Sequence, residues 1–287
     1  MKNIQYIPDT HLQTPHHSRP VIYDARYLPT GEPKPVIIFV HGFKGFKDWG
    51  PFNLLADKFA QEGFVFTKLN LSHNGTTPEK PTEFADLEAF GKNNFSIELN
   101  DLGIFIDHLE GGHSAIPASE ADLNRFLLIG HSRGGGLVIL KAAEDSRVQA
   151  LASWSGINDI DQRWPDEYIE EWKKKGVQYI FNSRTGQQMP LYYQVVEDYY
   201  ENKDRLDIPQ AVAGMKQPHL IIHGTDDTTV PHQAAIHMNK LNPETKLFLL
   251  EGADHTFGGQ HPLAESVIPT HMDIVIQETI DFFRKCF

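Results

Sequence analysis

Residues 126–136 read FLLIGHSRGGG, an apolar run that ends within a few steps in a histidine, a serine, an arginine and successive glycines. Inside it, GHSRG sets Gly130, Ser132 and Gly134 at the spacing G-x-S-x-G. That spacing suits a serine nucleophile. A sharp strand-to-helix turn would hold Ser132 in a strained backbone conformation at the carboxyl end of a sheet. Glycines two residues before and after would let strand and helix approach without Cβ clashes and leave Oγ exposed. The amides opening the following helix would point at the site and favour developing negative charge. The motif is weak by itself; its weight comes from the apolar run before it and the helical pattern after it. A second Gly-His-Ser, at Gly112, His113 and Ser114, lacks the second glycine, follows a helical pattern and reads as a loop.

A serine hydroxyl is a poor nucleophile at neutral pH. It needs a base, and the base needs an orienting acid. In a doubly wound sheet these belong on loops at the carboxyl ends of later strands. HLIIHGTDDTTVP, 219–231, offers Asp226 and Asp227, and KLFLLEGADHTFGG, 246–259, offers Asp254 and His255. Fifteen histidines also raise metal binding, with His11, His16 and His17 clustered near the N-terminus and His255 near His261. There is no H-E-x-x-H and no Cys/His pair at ligand spacing, so no metal and no cofactor are expected.

The elements that must carry these residues are legible as alternating patterns. Short apolar runs at 36–40, 65–71, 125–130, 148–154, 219–224 and 246–252 suit parallel strands covered on both faces. The run 21–28 alternates and reads as an early antiparallel edge strand. Helical patterns fall at 51–63, 94–112, 135–145 and 271–285, the first opening on Pro51 and closing on Gly63. The expected fold class is α/β: a mostly parallel, doubly wound sheet flanked by helices. One stretch breaks the rhythm. Residues 157–214 hold many aromatics, among them Trp164, Tyr168, Trp172, Tyr179, Tyr192 and Tyr199, with helical pieces and no parallel strand. They read as a small helical cap inserted into a single domain, 1–287, whose rings either bind an aromatic substrate group or pack the cap onto the sheet.

Composition bounds the function. A formal net charge of -12 disfavours nucleic acid or an anionic membrane as partner. Cys286 is the lone cysteine, which suits a reducing compartment. The N-terminus MKNIQYIPDT lacks a signal-like apolar segment, and no run approaches the roughly 20 apolar residues of a membrane span. The expectation is a cytoplasmic protein acting on a small molecule. Lys44, Lys47 and Arg133 read either as a positive rim for an acidic substrate group or as ordinary solvated loop charges. Arg163 and Arg184 receive no role.

Four motifs occur in order: HGFKG at 41–45, GHSRGG at 130–135, HGTDDTTVP at 223–231 and GADHTF at 252–257. In these the chain resembles the α/β-hydrolases, in particular serine esterases and the dienelactone-hydrolase-like branch, from about Val21 onward. The resemblance implies an α/β-hydrolase fold and a Ser132, Asp227, His255 triad in that chain order. It favours Asp227 over Asp226, as the third residue after the glycine of HG and three before Val230-Pro231. The other role open to Asp227 is capping a helix begun by Pro231. Asp254 is left as a loop or cap residue. The resemblance further implies an oxyanion hole from the amides of Arg133 and Phe43, with His41 bracing the loop. Ser132 in place of a cysteine argues against strict dienelactone-hydrolase chemistry, and in place of an aspartate against dehalogenation. The implied reaction is hydrolysis of a carboxylic ester through an acyl-enzyme. A peptidase or thioesterase, and a binding protein on the same scaffold, are the alternatives. A neutral His255 is required as base, so activity should fall below about pH 6–7.

Overall fold

Strand β3, Lys34–Val40, explains how the chain builds two cores from one sheet. Val36, Ile38 and Val40 join one buried cluster while Ile37 and Phe39 join another. Successive side chains of a strand point to opposite faces, so an uninterrupted apolar run demands cover on both. The computed structural model describes residues 3–161, 164–264 and 267–287. Arg163, like Gln162, lies outside the described residues.

The other elements of the sheet are β1 (Gln5–Leu12), β2 (Val21–Tyr27), β4 (Val65–Asn70), β5 (Ala121–His131), β6 (Val148–Trp154), β9 (His219–Gly224) and β10 (Lys246–Leu250). Their order is β1-β2-β4-β3-β5-β6-β9-β10. The first two are antiparallel, and β4 through β10 in that order run parallel. One face is covered by α3 (Phe95–Glu110), α4 (Arg133–Glu144), α7 (Ile208–Gly214) and α8 (Gln233–Leu241). The other is covered by α1 (Phe52–Gln61) and α9 (Thr270–Lys285). This is the mostly parallel, helix-flanked sheet that the run pattern implies.

Several boundaries differ from the sequence reading. The run 21–28 is antiparallel but not at the edge, because β1 pairs outside it. β1 carries Pro8 and is largely exposed, which an edge strand tolerates because one side of its backbone needs no partner. A short helix, α2 (Leu87–Lys92), precedes α3; Asp86 caps it and Asn94 caps α3, each accepting a backbone N–H at 2.8 Å.

The stretch between β6 and β9 is not purely helical. It holds α5 (Asp166–Lys175), an antiparallel hairpin of β7 (Val177–Asn182) and β8 (Gln187–Tyr192), α6 (Gln194–Glu201) and then α7. Trp172 and Val196 anchor the hairpin to the helices, and the Trp172 indole N–H donates to the Leu191 carbonyl at 2.8 Å. α7 belongs to the body, where Ile208 and Val212 are buried in the main core. Among the described residues, no helix is long and apolar enough to cross a membrane.

Four histidines are held neutral by burial: His41 and His73, each pushed down to about 4, and His131 and His219, each to about 3. The unfolded chain takes up these protons near pH 6.5, while the folded chain refuses them until pH 3–4. Between those limits each histidine removes about 1.4 kcal/mol of stability per pH unit. Thermal melts should therefore show Tm falling steeply from pH 7 to pH 5. A flat Tm over that range would contradict the burial of these rings as neutral groups.

Candidate active site

Ser132 sits between β5 and α4 with φ 56° and ψ −117°, a conformation that L-residues rarely adopt. The glycines around it are steric necessities. A Cβ at Gly130 would come 2.1 Å from the Gly134 carbonyl oxygen, and one at Gly134 would come 2.4 Å from that of Val40. Strand, turn and helix thus interlock with the end of β3. Asp227 follows β9 and His255 follows β10, both at the carboxyl edge where Ser132 projects.

The structure brings these three side chains into one hydrogen-bonded line. Ser132 Oγ lies 2.9 Å from His255 Nε2, and His255 Nδ1 lies 2.7 Å from Asp227 Oδ2. A carboxylate can only accept, so Nδ1 carries the ring proton and Nε2 is left to accept from the serine. Asp227 Oδ1 accepts the amides of Thr229 and Val230, each at 2.8 Å. Burial alone would raise the Asp227 carboxyl. Hydrogen bonds from His223, His255 and the Val230 amide outweigh it and hold the group well below the usual carboxylate range. Asp227 does not cap a helix: α8 begins only at Gln233, after His232, and the carboxylate folds its own loop instead. Asp226 is exposed, and Asp254 is an exposed loop residue accepting from the Gly258 amide at 2.8 Å.

Two further histidines brace the line. His223 is fully buried, and its Nε2 donates to the Val230 carbonyl at 2.8 Å while lying 3.2 Å from Asp227 Oδ2. His131 Nε2 donates to the His255 carbonyl at 2.8 Å, and the two rings pack at 4.9 Å. Both stand inside motifs the sequence reading singled out, as the residue before the serine and the histidine of HGTDD. Their partners are main-chain carbonyls, which leave no mark in a sequence.

The loop after β3 lies directly on Ser132. A Cβ at Gly42 would come 2.9 Å from the Ser132 Cβ. His41 Nδ1 donates to the Gly42 carbonyl at 2.9 Å, and Asn74 Nδ2 donates to His41 Nε2 at 3.3 Å, so the ring does brace this loop. Lys47 departs from the rim reading: it is fully buried. Its ammonium bonds Asp24 at 2.8 Å, Asp9 at 2.5 Å and also Asp48, while Lys68 bonds Asp48 and Asn53, each at 2.6 Å. Asp9, Asp24 and Asp48 form the acidic group spaced to hold a cation, but the two lysines already occupy that role. The network fastens the loop that carries Phe43 to β2 and β4. Among the described residues the N-terminal histidines form no group spaced to hold a metal ion, and His17 bonds Thr14 and Ser72. His261 lies against Phe46 and Trp49.

A cavity of about 400 Å³ opens at Ser132. Phe43, Phe90 and Phe95 line one side, and Ile157, Trp164, Tyr168, Trp172, Tyr179 and Leu191 close over it from the stretch between β6 and β9. The aromatic-rich segment therefore divides its labour. These rings face the cavity, whereas Tyr199, packed on Trp164 at 5.6 Å, belongs to the buried interior. A larger depression of about 730 Å³ beside α4 and α7 is lined by Glu144, Arg205 and neighbours, with no serine, cysteine or histidine among the described residues that line it.

A serine on a strained strand-to-helix turn, with an aspartate and a histidine following later strands of an eight-stranded sheet, is the arrangement of an α/β-hydrolase. The chain belongs to the alpha/beta hydrolase family, whose model matches residues 37–267. It is similar to the quorum-quenching protein AidA of Acinetobacter baumannii (strain MDR-ZJ06), with 26% identity over 160 residues, 55% of this chain and 48% of that protein. The match thus spans about half the length of that curated relative. Est1E from Butyrivibrio proteoclasticus, solved with ferulic acid bound, superposes with a TM-score of 0.71 at 16% identity over 96% of this chain and 98% of that one. Alpha/beta hydrolase domain-containing protein 10 from mouse does so at 0.71 and 17% identity, over 98% of this chain and 100% of that one. At these identities the likeness is one of fold. Family membership supports hydrolase chemistry on a small-molecule substrate.

Proposed function

We propose that the protein is a serine hydrolase that cleaves carboxylic esters. The observation that carries this reading is the unbroken Ser132–His255–Asp227 hydrogen-bond line, with Ser132 opening into an aromatic-walled cavity. His255 Nε2 takes the hydroxyl proton as Ser132 Oγ attacks the ester carbonyl. The Phe43 and Arg133 amides stabilise the oxyanion, helped by the N-terminus of α4. The protonated imidazole then gives its proton to the leaving alcohol. Water activated by the same ring releases the acid from the acyl-enzyme. Asp227 holds the ring in the required tautomer and, staying ionised to low pH, stabilises the imidazolium. No step calls for a cofactor.

In this reading the part of 157–214 that precedes α7 serves as the cap, with Trp164, Trp172 and Tyr179 receiving an aromatic or bulky apolar group of the ester. The ferulic acid held by Est1E on the same fold is in keeping with that choice. The lone Cys286 is in keeping with a reducing compartment such as the cytoplasm.

The test is a matched substrate series in which one aryl acyl group is presented as an ester, a thioester and an aminoacyl amide. The account expects the ester to show the highest kcat/KM. Preferential turnover of the amide or thioester would move the assignment to a peptidase or thioesterase. Tight binding without turnover, unchanged by Ser132→Ala, would make it a binding protein.

A further inference from the structure

Arg133 is notable for its side chain as well as its amide. Its Nε donates to Glu98 Oε2 at 2.8 Å, and Asn93 Nδ2 donates to the other Glu98 oxygen at 2.7 Å. The guanidinium carbon sits over the Phe95 ring, 3.6 Å from its centroid. Glu98 is buried behind the cavity wall, whereas Arg133, Asn93 and Phe95 line the cavity. The guanidinium is thus gripped on one edge and one face. Its terminal nitrogens, Nη1 and Nη2, make no hydrogen bond among the described residues and are not sealed from solvent.

The surroundings sharpen the point. In a chain with a formal net charge of -12, none of the described residues lining this cavity is an aspartate or glutamate, and Arg133 is the one charged residue among them. The remaining wall is mainly aromatic and aliphatic. Two parallel N–H donors on a fixed guanidinium match the two oxygens of a carboxylate, and such pairs gain strength where water is excluded.

We propose that the Arg133 side chain is a specificity anchor: it binds a carboxylate on the substrate group that occupies the cavity, so that the preferred substrates are half-esters of dicarboxylic acids. This rests on the reading of the cavity as the substrate site of an ester hydrolase. Ser132 and Arg133 line the same cavity, so one acyl chain lying within it can join the attacked carbonyl to the anchored carboxylate. Glu98, Asn93 and Phe95 act through Arg133 as positioning residues.

The experiment compares kcat/KM for mono-p-nitrophenyl adipate and for p-nitrophenyl hexanoate, which differ at the far end by a carboxylate against a methyl group. The ratio is read within each protein, so a general loss of activity cancels. Wild type should favour the half-ester by about tenfold or more, and Arg133→Gln should lower that ratio by about ten- to a hundredfold. Because Arg133→Gln leaves Glu98 buried without its cation, the double variant Arg133→Gln/Glu98→Gln is measured beside it and should lose the preference equally. Arg133→Lys, which keeps the charge and loses the fork, should fall between.

Binding of adipate itself, followed by tryptophan fluorescence, separates the two claims. Adipate binding that weakens in the double variant, with neither ester turned over, would retain the anchor and remove the esterase reading. Ester turnover with an unchanged substrate ratio and no adipate binding would overturn the anchor.

Discussion

Ser132→Ala and His255→Ala are each expected to lower kcat for a short p-nitrophenyl ester by about 10⁴- to 10⁶-fold, and the double variant to lower it no further. The non-additivity follows from the geometry. His255 Nε2 is 2.9 Å from Ser132 Oγ, and its one task toward the serine is to move that proton. Once the hydroxyl is gone the ring has nothing to activate, and once the ring is gone the hydroxyl stays protonated. Residual activity above the uncatalysed rate would come from the amides of Phe43 and Arg133 and from binding in the cavity. Additive losses would mean that the two residues act in separate processes.

The second large effect is at the acid. Asp227→Asn should lower kcat by about 10⁴-fold with the fold intact, because an amide at this position no longer enforces Nδ1–H on His255. The neighbouring Asp226→Asn should leave kcat near wild type, since Asp226 is exposed and its carboxylate accepts from the Thr225 hydroxyl at 3.3 Å. The pair controls for local charge, because both changes remove one carboxylate from adjacent positions of the same loop. Asparagine at 227 can still accept the Thr229 and Val230 amides through its carbonyl oxygen, so the loop has no cause to unfold. Equal losses in the two variants would point to a field effect of the loop instead of a specific partner for His255.

The parts legible in the sequence are those where backbone sterics or double-sided burial dictate residue type. Gly130 and Gly134 are forced by carbonyl oxygens that a Cβ would strike, so the turn announces itself. Residues 36–40 of β3, 126–129 of β5 and 220–222 of β9 are covered on both faces and appear as unbroken apolar runs. What escaped reading depends on partners distant in the chain or on water. β1 is exposed along most of its length and shows no apolar pattern. The β7–β8 hairpin keeps Tyr179 and Phe181 exposed and carries no apolar run of its own; its one local signal is Gly186, at φ 71° in the turn. Lys47, in a glycine-rich loop, carried every sign of a solvated charge. Its burial rests on Asp9 and Asp24, which come from β1 and β2. The bracing roles of His131 and His223 rest on carbonyls brought close by the fold.

The most direct test of the central claim is labelling of the folded protein with a fluorophosphonate, read as an intact-mass increase and located by peptide mass spectrometry. Serine attack on phosphorus with loss of fluoride requires a hydroxyl whose proton has an acceptor in place and a site that stabilises the resulting oxyanion. The account predicts a single adduct on Ser132, formed stoichiometrically at neutral pH and absent from Ser132→Ala. An unlabelled, folded wild-type protein, or an adduct on another residue that persists in Ser132→Ala, would contradict it.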